Sequence, residues 1–180
     1  MRVRAARVED AAAIARIKVA GWRFAYRGLM PDAVLDALDE QAHAQGWRRR
    51  ITALADPLGI PRLAVDAAGE VRGVVVVDRV PVGGDEDSAA EDAGVGRLRM
   101  LYLEPELVGA GIGHRLLVDA YTRLRAAGAQ TGQLWVLDGN ARAIGFYARH
   151  GWELTGRIKD VPVTGGVLRE REMRHRSLAV

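Results

Sequence analysis

The sequence predicts a mixed α/β fold, a sheet of about seven strands with helices packed on its faces. Two observations carry this. Apolar residues change between alternating and helical spacing in the order β, α, α, β, β, β, α, β, α, β, β. The 180 residues, 49% of them apolar, fit one domain spanning 1–180, with no internal repeat or convincing boundary.

The elements follow in order. Arg2–Val8 alternates and reads as a strand, and Asp10 is placed to cap the helix after it, where Ile14, Ile17, Gly21 and Phe24 recur at helical spacing. Beyond Gly28 and Pro31, residues 32–54 read as a second amphipathic helical stretch, basic at Arg48-Arg49-Arg50. Leu63–Asp66 and Val71–Val80, joined by Ala67-Ala68-Gly69-Glu70, form a hairpin signature. Gly83–Gly94 carries five acids and no base and is expected to be an exposed, flexible loop. Leu98–Leu103 is a strand. Ile112, Leu116, Leu117, Ala120, Tyr121 and Leu124 form the stripe of a helix ended by Gly128. Leu134–Leu137 reads as a buried strand, Asn140–His150 as a short helix, and Trp152–Ile158 and Val167–His175 as the last two strands.

Composition removes several function classes. There is no cysteine, hence no disulfide scaffold, cysteine nucleophile or thiolate metal site. The histidines show no metal-ligand spacing, and no metal is expected. The N-terminus lacks a signal-peptide pattern and no run of about 18 apolar residues occurs, so the expected setting is cytoplasmic, without membrane contact. The net charge is +3, and with the five acids of 83–94 set aside the remainder carries +8. Its arginines are dispersed and not interleaved with aromatics, so nucleic acid is not an expected partner, whereas a phosphate-bearing small molecule is compatible with the charge.

The stretch Leu98–Leu117 is the most informative. A strand runs into Glu104-Pro105, then Gly109-Ala110-Gly111-Ile112-Gly113, then a helix. Glycines let the backbone turn sharply and approach a ligand with no Cβ in the way. The helix after them opens with unpaired N–H groups at its positive end, which suits a phosphate. A dinucleotide fingerprint would need glycine where His114 stands, and a Walker A loop would need a Gly-Lys-Ser/Thr run that is absent.

Met100-Leu101-Tyr102-Leu103-Glu104-Pro105-Glu106, followed by Gly109 to Leu117, resembles the coenzyme A motif of the GNAT N-acetyltransferase superfamily. Asn140-Ala141-Arg142-Ala143 with Phe146-Tyr147 and Gly151-Trp152 resembles a second segment of that family, in the right order and spacing. The resemblance implies a mostly antiparallel GNAT sheet with central strands splayed around the pantetheine arm of acetyl-CoA. It implies that Leu101, Tyr102 and Leu103 offer main-chain groups to pantetheine and the acetyl carbonyl. Gly109, Ala110, Gly111, Ile112, Gly113 and His114 would hold the pyrophosphate, and Asn140 would contact the pantetheine arm. Tyr147 would lie by the sulfur as general acid. One departure is Val108, where the family usually places Arg or Gln.

The implied activity is transfer of the acetyl group of acetyl-CoA to a primary amine of a small molecule or peptide, by direct attack in a ternary complex. Of the candidates for a general base, Arg97 cannot serve, Glu104 reads as structural, and Asp138 or a water relay stays open. Trp22 and Tyr26, at i and i+4, are candidate walls for the amine and equally fit ordinary core packing. The rival readings are an N-acyltransferase for another acyl-CoA and an acyl-CoA-binding regulatory module without turnover. A homodimer is left open.

Overall fold

The structure, a computed structural model, describes residues 1–79, 94–163 and 166–178. Seven strands, β1 (Arg2–Ala5), β2 (Arg62–Val65), β3 (Val71–Arg79), β4 (Val95–Leu103), β5 (Thr131–Leu137), β6 (Trp152–Val163) and β7 (Gly166–His175), form one sheet in the order β1-β2-β3-β4-β5-β7-β6. Every neighbouring pair is antiparallel except β4 and β5. Five helices accompany it: α1 (Ala11–Tyr26), α2 (Asp32–Asp36), α3 (Glu40–Ala53), α4 (Ile112–Ala126) and α5 (Ala141–Ala148).

The alternation of side chains along β3 divides the core. Val74 and Val76 pack under α1 and α3 with Ile14, Ile17 and Trp47, whereas Val75 and Val77 pack under α4 with Leu116, Leu117 and Leu124. The run of four valines is fully buried because helices cover both faces of the strand. A third cluster, Met30, Leu35, Leu137 and Leu168, fastens the α1–α2 segment to the end of β5 and to β7.

Several sequence expectations are corrected. Residues 32–54 are two helices, because the Asp39 carboxylate caps α3 by accepting from the N–H groups of Gln41 and Ala42 at 2.8 and 3.2 Å. Asp10 does not cap α1; its carboxylate takes a bidentate pair from Arg4 at 2.7 and 2.8 Å and the Arg7 N–H. The first strand stops at Ala5, as Val8–Asp10 turn into a 3-10 helix. β4 and β5 begin three residues earlier than their apolar runs suggest. The expected acidic loop lies outside the described residues except for Gly94.

Candidate active site

β4 and β5 pair only from Val95 with Thr131 to Leu98 with Leu134. Beyond that the strands part. A bulge on β4 starts the divergence: against β3, Leu98 pairs with Val77 and Met100 with Val76, so Arg99 is the extra residue. The bulge also changes which face β4 presents, with Leu98 packed toward α4 and Met100 and Tyr102 toward α1 and α3. Between the parted strands lies a cleft of about 420 Å³, walled by residues 98–103 of β4 and by Leu134, Trp135 and Val136 of β5.

The floor is the glycine turn. Gly109 has φ of 91° and Gly111 of 78°, conformations that favour glycine, and a Cβ on either would meet no protein atom within 4 Å. Both therefore open onto free space at the cleft. The first backbone bond of α4 runs from the Arg115 N–H to the Gly111 carbonyl at 3.2 Å, and no side chain caps the helix. The amides of Ile112, Gly113 and His114 thus point out of a 15-residue helix with no intrahelical acceptor. Ala110 differs, because its N–H already donates to the Leu107 carbonyl at 3.1 Å. Gly113 differs too: a Cβ there would lie 3.3 Å from the Phe146 ring, so this glycine admits α5 against α4.

α5 supplies one wall. Asn140 is its N-cap, with Oδ1 accepting the Ala143 N–H at 3.1 Å, so only its amide NH₂ remains for a ligand. Tyr147 lines the cleft, its ring set against Phe146 and Trp152 at centroid distances of 5.2 and 6.0 Å. Its hydroxyl has no hydrogen bond among the described residues. Burial, and then the proximity of Tyr26 and Tyr121, push its pKa well above the ordinary tyrosine value, so the phenol is held protonated. His150 Nδ1 donates to the Phe146 carbonyl at 2.8 Å, and its Nε2 shares a hydrogen bond with His114 Nδ1 at 3.1 Å.

α1 supplies the other wall. A Cβ on Gly21 would come within 2.8 Å of the Tyr102 ring, so this glycine lets α1 cross β4 closely. The hydroxyls of Tyr26 and Tyr102 are hydrogen-bonded at 2.9 Å, and burial raises the pKa of both. Trp22 does not line the cleft: its ring carries Lys18 Nζ at 5.0 Å and its Nε1 is buried without a hydrogen-bond partner. The Trp22 N–H acts on the Tyr102 oxygen in the direction that favours ionisation, but closes no hydrogen bond.

The cleft gathers Leu101, Tyr102, Leu103, Gly109, Gly111, Gly113, His114, Asn140, Tyr147 and Tyr26 from the residues expected from sequence. Ala110, Ile112 and Trp22 lie outside its lining, and the Ile112 side chain is buried in the core. Sequence reasoning missed Arg99, Trp135 and His150, whose places follow from a bulge and from packing between elements that leave no local periodic signal. The charged side chains of the lining are the arginines Arg99, Arg142 and Arg149; among the described residues no carboxylate lines it. Glu104 is buried outside, clamped by Arg16 at 2.5 Å and Arg72 at 2.9 Å. Although desolvation opposes it, these two arginines hold the Glu104 carboxyl below the usual range, which suits a strut and not a base.

Comparison with known proteins agrees with this geometry. The sequence pattern of the acetyltransferase (GNAT) family matches residues 22–152, a span that contains the splayed strands, the glycine turn and α5. The chain belongs to the GNAT acetyltransferase family. As a GNAT protein it is an acyltransferase by class, with coenzyme A binding as the family's shared property. No curated protein sequence matches it.

Among solved structures, PaiA N-acetyltransferase from Thermoplasma acidophilum in complex with coenzyme A is similar, with a TM-score of 0.68, 18% identity and coverage of 97% of this chain and 98% of the other. YncA, a putative acetyltransferase from Salmonella typhimurium with its cofactor acetyl-CoA, has a TM-score of 0.66, 20% identity and coverage of 100% and 95%. Naa20 from Chaetomium thermophilum, in complex with a bisubstrate analogue, has a TM-score of 0.69, 19% identity and coverage of 98% and 87%. At these identities the likeness establishes the fold. The described residues hold no group of His, Asp or Glu fit for a metal, and no helix among them is long and apolar enough to cross a membrane.

Proposed function

We propose that this chain, acting as a single domain, transfers the acetyl group of acetyl-CoA to a primary amine by direct attack in a ternary complex. The observation that carries the proposal is the cleft between the parted strands, with free helix-end amides at one end and the Tyr147 hydroxyl on its wall. The fit to acetyl-CoA rests on the space in front of Gly109 and Gly111, which a Cβ would fill, and on a lining that among the described residues holds no carboxylate to repel phosphates.

When bound, acetyl-CoA supplies the activated acyl group and a thiol leaving group. The amides of Gly111, Ile112, Gly113 and His114 hold the pyrophosphate, and Asn140 donates to the pantetheine arm. Tyr102 gives its main-chain groups to Val74 of β3, whereas those of Leu101 and Leu103 alternate with them and face the parted β5 side, free to polarise the acetyl carbonyl. Tyr147 holds a proton for the departing sulfur, and its raised pKa keeps that proton in place through neutral pH. Among the described residues no carboxylate lines the cleft, and the amine loses its proton to water. Tyr26, anchored to Tyr102, forms the acceptor-side wall, and Trp22 supports it from behind through an edge-on contact at 5.4 Å.

The test is an acceptor screen with acetyl-CoA followed by thiol release. Turnover with an amine is the expected result. Tight acetyl-CoA binding without turnover across amino acids, polyamines and peptides would contradict the transferase reading and favour a regulatory module.

A further inference from the structure

The cleft is positive at both ends, and the cofactor phosphates account for one of them. Arg149, the C-cap of α5, lines the cleft beside His150, which meets His114 of the glycine turn, and Arg142 of α5 lines it over the Phe24 ring at 4.3 Å. Arg99 lies at the opposite end, at the β4 bulge, four residues before Leu103 and so roughly 13 Å along the strand.

Further cations stand on that side. Asp78 follows Val76 by two residues and projects to the α1–α3 face, where one carboxylate serves two arginines. Arg97 Nε and Nη2 reach it at 2.8 and 3.1 Å, and Arg99 Nη1 at 3.0 Å. Arg50, near the end of α3, lies over the Trp47 ring at 5.3 Å, and its Nε is buried with no hydrogen-bond partner among the described residues. Lys18 of α1 lies over Trp22 and makes no ion pair among the described residues. Burial lowers the pKa of Lys18 and of Arg50, and each is lowered further by a neighbouring cation, Arg50 for the first and Arg99 for the second. Among the described residues Asp78 is thus the carboxylate that Arg97 and Arg99 share, and Arg50 and Lys18 have no ion pair. Lys18 and Arg50 are partly buried, and like charges so placed are costly unless an anion joins them.

We propose that the Arg99–Arg50–Lys18 cluster binds an anionic group carried by the acceptor, so that the substrates are amines bearing a carboxylate, phosphate or phosphonate. The proposal rests on the transferase reading for the word acceptor. Arg99 is two residues from Leu101, about 7 Å along β4, within reach of a group a few bonds from the reacting amine. The cationic lining, which holds no carboxylate among the described residues, opposes polyamines and basic peptides and favours an acceptor whose own anion offsets its ammonium.

The experiment compares matched acceptors that differ by the anion: phenylalanine with phenylalaninamide, and 2-aminoethylphosphonate with ethanolamine, with spermidine as a polycation. Thiol release is measured for the wild type, Arg99→Gln, and Arg50→Gln/Arg99→Gln. The expected result is a kcat/KM at least about tenfold higher for the anionic member of a pair. That ratio collapses toward one in the variants, with the loss in KM. A wild-type ratio near one, a preference for spermidine, or a ratio unchanged in the variants overturns the proposal.

If no amine turns over, the transferase reading fails, and the anion site is read separately. Inorganic phosphate is titrated into protein saturated with coenzyme A, which fills the glycine turn, and the melting temperature is followed. Stabilisation of the wild type but not of the variants supports the site; equal stabilisation, or none, overturns it. Arg99 is exposed and Arg97 keeps Asp78 paired, so Arg99→Gln gives a folded comparison should the double variant fail to fold.

Discussion

The Tyr147 hydroxyl makes no hydrogen bond among the described residues, so removing it should leave the packing of its ring against Phe146 and Trp152 intact. We expect Tyr147→Phe to lower kcat by roughly 100-fold while the acetyl-CoA dissociation constant, measured by calorimetry, stays within about twofold. Because burial raises the Tyr147 pKa, the wild-type pH–rate profile should climb toward the acceptor's amine pKa with no descending limb below about pH 10. Val108 is 46% exposed at the cleft rim, where the family usually has Arg or Gln. Val108→Arg is expected to tighten acetyl-CoA by several-fold at low salt, with the gain shrinking as salt rises; unchanged affinity would show that the helix-end amides alone set binding.

At the scale of elements, the sequence was most readable where one segment holds all of its own signal. The glycine turn is such a segment, because backbone conformation, helix start and free amides all follow from residues 109–114. So is α5, whose Asn140 cap and Tyr147 share a helix. Contacts made between elements were not readable. Gly21 counts as a helical position in the sequence, yet its missing Cβ is what seats α1 on Tyr102. Gly113 resembles a ligand-facing glycine, yet it faces Phe146. The splay itself was half visible: the apolar runs marked Leu98–Leu103 and Leu134–Leu137, which begin where the β4–β5 pairing ends. The paired residues before them, such as Arg97, Gly132 and Gln133, are polar or lack a side chain, so apolar periodicity passed over them. Gly132 has a clear structural task, because a Cβ there would stand 2.7 Å from Trp152 Cη2 and 3.1 Å from Leu178. Gly132→Ala is expected to cost about 1–3 kcal/mol in urea unfolding, against no loss if Trp152 can move aside.

The whole molecule is bounded in pH by groups on both sides. Glu172 is 1% exposed. Desolvation raises its pKa, but bonds from Gln133 at 2.6 Å, Thr155 at 2.8 Å and Arg174 at 2.8 Å outweigh that and hold it below the usual value, as two arginines do for Glu104. A carboxyl depressed in the folded state contributes stability above its ordinary pKa near 4.5, lost as pH falls through the lower folded value. Tyr26, Tyr102, Tyr121 and Tyr147 behave oppositely. Burial raises all four, Tyr121 to about 12. Above pH 10 the unfolded phenols release protons that the folded ones retain, so stability falls as pH rises through that range. Urea midpoints should therefore be flat from about pH 5 to 9 and decline on both sides. An alkaline midpoint that holds steady to pH 12 would mean that these phenols are not buried in solution.

The central claim is that acetyl-CoA enters the gap between β4 and β5 with its pyrophosphate on the glycine turn. Calorimetric titration of acetyl-CoA into the wild type and Gly111→Asp tests it most directly. A side chain at Gly111 meets no protein atom, so the core is preserved apart from about 1–2 kcal/mol of left-handed backbone strain, while the carboxylate fills the phosphate position. One-to-one binding by the wild type, weakened at least about 100-fold in a variant that still melts cooperatively, is the predicted result. Equal affinity in the two proteins would contradict the account.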